Sequence, residues 1–204
     1  MSAAGAGVVV VCGSRKPAPG REGRSAAREL LKPVLAGIVQ AGVVPSVFDL
    51  REMELPLFDG RTGGEYGCPD LDRLTAALDS APVVLFSVPA YWQAPSGPLV
   101  NLLDVLGGAA YDRPPGLPAP FLGKTALQLV VGADPASAYV GAGISRDMLA
   151  ALGFTVDARE VVVADPRAVQ DVRALTTSLR ELGGHAAALV GAGSPAPSIP
   201  EGAR

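Results

Sequence analysis

The residues with the clearest capacity for chemistry are the hydroxyl and basic side chains that follow the first apolar run. Four consecutive valines, residues 8 to 11, are too few for a helix and predict a strand buried on both faces. The loop after them carries Ser14, Arg15, Lys16, Arg21, Arg24 and Ser25. Ser25 stands where the N-cap of the next helix is expected. Because free N–H groups and the helix dipole attract anions, this strand–loop–helix unit predicts a phosphate-binding site.

Two well-known phosphate-binding motifs are absent from this stretch. The P-loop pattern Gly-x-x-x-x-Gly-Lys-Ser/Thr does not occur. The dinucleotide pattern Gly-x-Gly-x-x-Gly does not follow the strand, since Gly5 and Gly7 precede it. A phosphate bound here would belong to another class of site. The alternative is a solvated basic loop between two core elements.

The composition limits the possible function classes. A chain of 204 residues with 49% apolar residues has enough material for one domain with a sizeable core. We expect this domain over residues 1–190, and a disordered Gly/Pro/Ser-rich tail over 191–204. The net charge of −3 gives no reason to expect nucleic acid or a membrane as a partner.

Cysteine and histidine usage argues against several kinds of site. Cys12 and Cys68 form no disulfide framework, and we expect Cys12 to be an inert core residue. His185 is the only histidine and is expected on the surface, so neither a histidine-based triad nor a metal site is predicted. The chain has no signal-peptide pattern and no apolar run long enough to span a membrane, and we expect a cytoplasmic protein.

Strand and helix patterns alternate along the whole chain. Strands are predicted at 8–11, 43–48, 82–88, 124–131 and 155–163, and helices at 25–40, 69–80, 98–106, 141–152 and 166–189. Pro33 falls inside the first helix, and Pro45 suggests that the second strand lies at an edge of the sheet. The alternation predicts an α/β fold with a five-stranded parallel sheet and helices on both faces. For five strands the flavodoxin-like order is 2-1-3-4-5, and we expect that order here.

In such a sheet the ligand binds where the loops after strands one, three and four meet. The second of these loops carries Tyr91 and the only tryptophan, Trp92. The third, predicted over 132–139, is followed by Gly141 and Gly143. The three loops together suit a planar ring with a phosphate tail. Taken singly, the aromatic residues also suit a cap over the core, and the glycines also suit close helix packing.

The run from Ser87 to Asp104 resembles the Pro-x-Tyr-x-x-x-x-x-Gly-x-Leu-Lys-Asn-x-x-Asp pattern of the NADPH-dependent FMN reductase family, which has a flavodoxin-like fold. Residues 10–15 with Ser25, the pairs Asp49-Leu50 and Leu55-Pro56, and Gly123-Lys124 also fit that family. The resemblance extends over about residues 8 to 190. This chain departs from the family in a longer first loop, in Ala90 where an acidic residue is common, and in Val100 for the usual lysine.

The resemblance implies a site for FMN. Its phosphate would be held by Ser14, Arg15 and Ser25. Its ring would be lined by Pro89, Ala90, Tyr91, Trp92, Gln93 and Ala94, and on the other edge by Asp134, Ser137 and Tyr139. No catalytic side chain is implied, because the flavin supplies the reactivity.

The function implied is NAD(P)H-dependent flavin reduction. Hydride passes from NADPH or NADH to bound FMN, and electrons then pass to an acceptor: free flavin, a quinone, an azo compound or a partner monooxygenase. A homodimer is implied, with Trp92 and residues 107–123 in the interface. The alternatives are a flavodoxin-like electron carrier, a Rossmann-type nucleotide binder with Asp49 on a ribose, and a flavin-free domain of the same fold.

Overall fold

The computed structural model describes residues 7–17, 22–108 and 119–192. The strands are β1 (Val8–Cys12), β2 (Ser46–Asp49), β3 (Val83–Tyr91), β4 (Ala94–Pro95), β5 (Thr125–Gly132), β6 (Thr155–Val156) and β7 (Val161–Ala164). The helices are α1 (Ala26–Gln40), α2 (Pro69–Ser80), α3 (Gly97–Gly107), α4 (Pro135–Ala151) and α5 (Val172–Ala192), with a 3-10 turn at Gly63–Tyr66. No helix in the described ranges is long and apolar enough to cross a bilayer.

The sheet has the predicted parallel core. Its order is β2-β1-β3-β5-β6, β7 also pairs with β5, and all of these pairs are parallel. The predicted order 2-1-3-4-5 and the edge position of the second strand are confirmed, with β5 as the predicted fourth strand. The predicted fifth strand is divided into β6 and β7, because the Asp157 carboxylate accepts the Arg159 N–H at 2.7 Å and turns the chain between them.

Two apolar layers cover the sheet, as its continuous hydrophobic strands require. The side chains of Val8 and Val10 pack with α1 and α5 on one face. Those of Val9 and Val11 pack with α2, α3 and α4 on the other face. All four valines are fully buried, which confirms the central place predicted for β1.

Helices α1 and α5 approach each other at backbone distance. A methyl group on Gly37 would lie 2.1 Å from the Arg180 carbonyl oxygen, and one on Gly183 would lie 2.0 Å from the Val34 carbonyl oxygen. Only glycine permits this contact, which fixes the position of α1. Pro33 lies inside α1, and the helix continues through it.

Several predicted boundaries are wrong. α4 begins at Pro135 instead of 141, because Asp134 caps it and Pro135 occupies its first turn. The predicted loop 132–139 therefore shrinks to two residues. β3 runs three residues past its predicted end, and α5 begins at Val172 instead of 166.

Other sequence predictions concern the single histidine and the two chain segments of unusual composition. For His185, which is expected on the surface, 23% of the side chain is exposed, and its Nε2 lies 3.0 Å from Asp157 Oδ2. In the predicted tail, residues 191 and 192 still belong to α5, and 193–204 lie outside the described residues. The same holds for residues 109–118 of the expected interface segment.

Candidate functional site

Gly13 joins the end of β1 to the end of β3 and the start of α3. Its N–H donates to the Ser87 carbonyl at 2.9 Å, and its own carbonyl accepts the Ser96 hydroxyl at 2.8 Å. A methyl group on Gly13 would lie 2.9 Å from the Ser87 carbonyl oxygen and 3.2 Å from the Pro89 ring. The first loop thus starts pressed against the neighbouring strand, at the carboxyl edge of the sheet.

A pair of serine hydroxyls lies just beyond this contact. Ser14 Oγ is 2.8 Å from Ser25 Oγ, and both residues are buried. Ser25 is the N-cap of α1, as predicted, and accepts the Arg28 N–H at 3.3 Å. The N–H groups of Ala26 and Ala27, in the first turn, have no partner within the helix. Two hydroxyls and a helix N-terminus at one point form a suitable anion site.

Arg28 is the residue that the sequence analysis missed. Its guanidinium donates to both carboxylate oxygens of Asp49, at 2.6 and 2.7 Å. It also donates to the carbonyls of Lys16 and Ser14, at 2.7 and 3.0 Å. The available signal was an arginine in the first turn of a helix, where the dipole disfavours a cation unless an acid compensates it.

The pairing of Arg28 with Asp49 argues against a Rossmann-type nucleotide binder. Asp49 binds Arg28 through both oxygens, and Oδ1 also accepts the Arg51 N–H at 3.0 Å. A ribose-binding aspartate needs a carboxylate that faces the ligand. The Rossmann-type role considered for Asp49 is therefore not supported.

The basic residues of the first loop do not converge on one point. Arg15 is exposed and lines a cavity of about 150 Å³. The other lining residues are Leu50, Leu55, Leu57, Gly97, Pro98 and Asn101. Lys16 Nζ lies 4.4 Å from the centre of the Tyr91 ring. Arg24 is exposed, and Arg21 lies outside the described residues.

The predicted aromatic loop is a tight hairpin. Ala90 pairs with Pro95 and Tyr91 with Ala94, so only Trp92 and Gln93 form the turn. Both turn residues have positive φ, 54° and 64°, in the left-handed region that favours glycine. Backbone strain of this kind is concentrated at functional sites. The turn holds Trp92 out at the tip, with 95% of its surface exposed.

Tyr91 connects the hairpin to the phosphate-binding loop. Burial raises the pKa of its hydroxyl, and a hydrogen bond with the Ser14 side chain opposes that rise. The Lys16 ammonium lies over its ring, in a cation–π contact. Tyr91 therefore lies between the hydroxyl pair and the exposed Trp92.

The first turns of α4 form the third wall of the candidate site, after the first loop and the hairpin. Asp134 accepts both the N–H and the hydroxyl of Ser137, each at 2.8 Å, and the N–H holds the pKa of Asp134 below its usual value. The two side chains thus bind each other. Tyr139 is exposed. A methyl group on Gly141 would lie 2.6 Å from Ala90 Cβ, so the start of α4 packs directly on the hairpin.

The described residues offer little reactive side-chain chemistry. No group of three or more His, Cys, Asp or Glu in the described ranges is placed to hold a metal ion. Burial raises the pKa of the Cys12 thiol, and Cys68 donates its thiol proton to the Glu54 carbonyl. The site consists of hydroxyls, backbone N–H groups and aromatic faces, which bind and orient a ligand.

Comparison with known proteins identifies the family of the chain. Residues 7–168 match the model of the NADPH-dependent FMN reductase family. The chain belongs to this family. The FMN reductase resemblance, FMN as cofactor and the class of NAD(P)H-dependent oxidoreductase are thereby confirmed. No curated protein matches the chain significantly in sequence.

Solved structures share the fold. An NADH:FMN oxidoreductase in its apo form is 18% identical, with a TM-score of 0.64 over 95% of this chain and 91% of that chain. A putative quinone reductase from Klebsiella pneumoniae is 16% identical, with a TM-score of 0.64 over 92% and 86%. A flavodoxin from the domain Archaea is 12% identical, with a TM-score of 0.58 over 90% and 98%. At these identities the likeness shows the fold alone, which confirms the flavodoxin-like prediction.

Proposed function

We propose that the protein is an NAD(P)H-dependent flavin reductase that binds FMN non-covalently between the first loop, the hairpin and the start of α4. The observation that supports this most is the hydroxyl pair Ser14–Ser25 at the N-terminus of α1, linked through Tyr91 to an exposed tryptophan. One end of this arrangement suits a phosphate, and the other suits a flat ring.

The residues present fit the phosphate of FMN. The hydrogen bond between Ser14 and Ser25 uses one hydroxyl proton, and both hydroxyls can rotate so that their protons face an anion. The α1 N-terminus adds N–H groups and a favourable dipole. Arg15 lines the neighbouring cavity and Lys16 lies over the Tyr91 ring, but both are exposed on the same loop, so their long side chains can turn toward a bound phosphate and add positive charge. We propose these four residues as the phosphate-binding set.

The residues of the other two walls fit the ring. We propose that residues 89–94 contact one side of the isoalloxazine and that Asp134, Ser137 and Tyr139 border the other side. Bound FMN supplies the hydride-accepting chemistry, and the nicotinamide has to stack within reach of it. The exposed Trp92 and Tyr139 offer apolar surface for that approach.

The acceptor, the assembly and the location are part of the proposal. We propose a small oxidised acceptor, free flavin, a quinone or an azo compound, or a partner monooxygenase. The exposed apolar residues Trp92, Tyr139, Val140 and Ile144 support a homodimer, since exposed apolar surface of this kind is typical of protein contacts. Ile144→Glu should then shift a dimer toward the monomer in light scattering. A cytoplasmic location remains a prediction.

The first experiment tests the phosphate site. Ser14→Ala removes one hydroxyl, and a hydrogen bond to a charged group contributes about 1.5–3 kcal/mol, so the Kd for FMN should rise about tenfold or more. The Kd for riboflavin, which lacks the phosphate, should stay unchanged. Ser80→Ala is the control, because that exposed hydroxyl donates only to its own helix. Equal losses for FMN and riboflavin would contradict the assignment.

The second experiment tests the reaction. The FMN-loaded protein is mixed anaerobically with NADPH or NADH while the flavin absorbance is followed. We expect rapid bleaching with at least one nucleotide, and the faster one identifies the donor. If dithionite bleaches the flavin and neither nucleotide does so faster than with free FMN, the protein is an electron carrier and the proposed reaction is wrong.

A further inference from the structure

We propose that Arg28 and Asp49 form a positioning pair that sets the selectivity for phosphorylated flavin without touching the phosphate. This inference rests on the proposed function, since it concerns the same phosphate site. Neither residue belongs to the phosphate-binding set proposed above.

The pair holds the first loop at two places. Nη2 of Arg28 donates to the Ser14 carbonyl at 3.0 Å, and Nη1 donates to the Lys16 carbonyl at 2.7 Å. Asp49 keeps the guanidinium in this orientation through two parallel bonds to Nε and Nη2. β2 positions Asp49, because Cys12 of β1 lies opposite it in the sheet register. The loop is thus fastened to the edge strand through one side chain.

The direction of these bonds favours anion binding. The peptide group between Ser14 and Arg15 is planar and trans, so its C=O and N–H point in opposite directions. When the Ser14 carbonyl faces Arg28, the Arg15 N–H of the same peptide group faces the other way. The pair also occupies two carbonyl oxygens that would repel a phosphate if they turned toward it. The hydroxyl of Ser14 is carried by the same fixed segment.

The pair does not act as a net positive charge. Both side chains are partly buried, with 24% of Arg28 and 21% of Asp49 exposed, and their charges cancel at close range. The Asp49 hydrogen bond raises the pKa of Arg28, so the guanidinium stays charged. Its effect on the loop therefore comes from geometry.

The substitution Asp49→Asn distinguishes a positioning role from a charge effect, because the two predict opposite changes in the Kd for FMN. Asparagine keeps the size of the side chain but presents an NH₂ group to one of the guanidinium nitrogens, which breaks the two-bond contact. If only charge mattered, removal of a negative charge near the phosphate would tighten FMN binding. The positioning role predicts the opposite, a rise in the Kd for FMN of about tenfold with an unchanged Kd for riboflavin.

Two further variants complete the test. Arg28→Lys should also weaken FMN binding, because one ammonium group cannot reach four acceptors arranged for a planar guanidinium. Glu160→Gln is the control: Glu160 pairs with Arg146, accepts the side-chain N–H of Gln128, and has 21% of its side chain exposed, as for Asp49. That control should leave the ratio of the FMN and riboflavin Kd values unchanged.

The outcomes distinguish the possible roles. Tighter FMN binding by Asp49→Asn would mean that the pair acts on the phosphate through its charge, and equal weakening of FMN and riboflavin would mean that the pair serves folding only. Either result overturns the inference. If the wild-type protein binds neither flavin, the proposed function fails instead. The pair itself is then tested by hydrogen exchange of the flavin-free protein, where Asp49→Asn should speed exchange over residues 13–17 and Glu160→Gln should not.

Discussion

The contact between α4 and the hairpin should make two glycines of one helix respond in opposite ways to alanine. A methyl group on Gly141 would lie 2.6 Å from Ala90 Cβ, whereas one on Gly143 would meet no atom within 4 Å. Carbon atoms pack best at about 3.5–4.0 Å, so Gly141→Ala requires helix and hairpin to separate by about 1 Å.

The magnitudes follow from two opposing effects. Alanine in a helix interior is favoured over glycine by about 1 kcal/mol, so Gly143→Ala should raise the free energy of unfolding by about that amount. Gly141→Ala has the same gain in helix propensity, but overpacking costs about 1–3 kcal/mol. We therefore expect its free energy of unfolding to fall by about 1 kcal/mol. The two variants should thus differ by about 2 kcal/mol in urea unfolding.

A double-mutant cycle locates the cause. Ala90→Gly removes the methyl group that Gly141→Ala would meet, so the double variant should be more stable than the sum of the two single changes by about 2 kcal/mol, the overpacking cost that is relieved. Because Ala90 precedes Tyr91, Gly141→Ala should also weaken FMN binding, and Gly143→Ala should not. If both glycine variants are stabilised equally, α4 does not press on the hairpin and this account of the third wall is wrong.

Two more predictions concern the packing of α5 on α1 and the N-cap of α4. Gly183→Ala should lower the free energy of unfolding by about 2 kcal/mol, because its methyl group would lie 2.0 Å from the Val34 carbonyl oxygen. Gly184→Ala should raise the free energy of unfolding by about 1 kcal/mol, because its methyl group would lie in open space. Thermal melts with equal midpoints for the two variants would contradict this. Asp134, whose pKa is lowered by the Ser137 N–H, should stabilise the fold fully above its ordinary pKa of 3.8 and lose that contribution as the pH falls below it. Asp134→Asn keeps a capping oxygen but not the charge, so its difference from the wild type in free energy of unfolding should shrink from about pH 7 to about pH 3. A difference that stays constant over this range would refute the capping role of the Asp134 carboxylate.

Local patterns were enough for most of the fold. The four buried valines of β1, the serine cap of α1 and the exact range of α2 all follow from burial periodicity and capping chemistry, which act within a few residues. The parallel sheet follows from the alternation of strands and helices, and its order is the one that a flavodoxin-like fold has for five strands. The early start of α4 was also readable, since Asp134 followed by Pro135 is a capping residue before a first-turn proline.

The arrangement of the site depended on tertiary contacts. Trp92 and Gln93 are not the residues that a two-residue hairpin turn prefers, so no local signal predicted it; the pairing of β3 with β4 imposes it. Arg28 and Asp49 are 21 positions apart and meet only because the register of β1 and β2 brings the end of one strand beside the loop of the other. A sequence pattern reports which residues are buried, because burial is repeated along an element. It does not report which polar groups pair, because each pair is a single contact between elements whose relative placement is decided by packing.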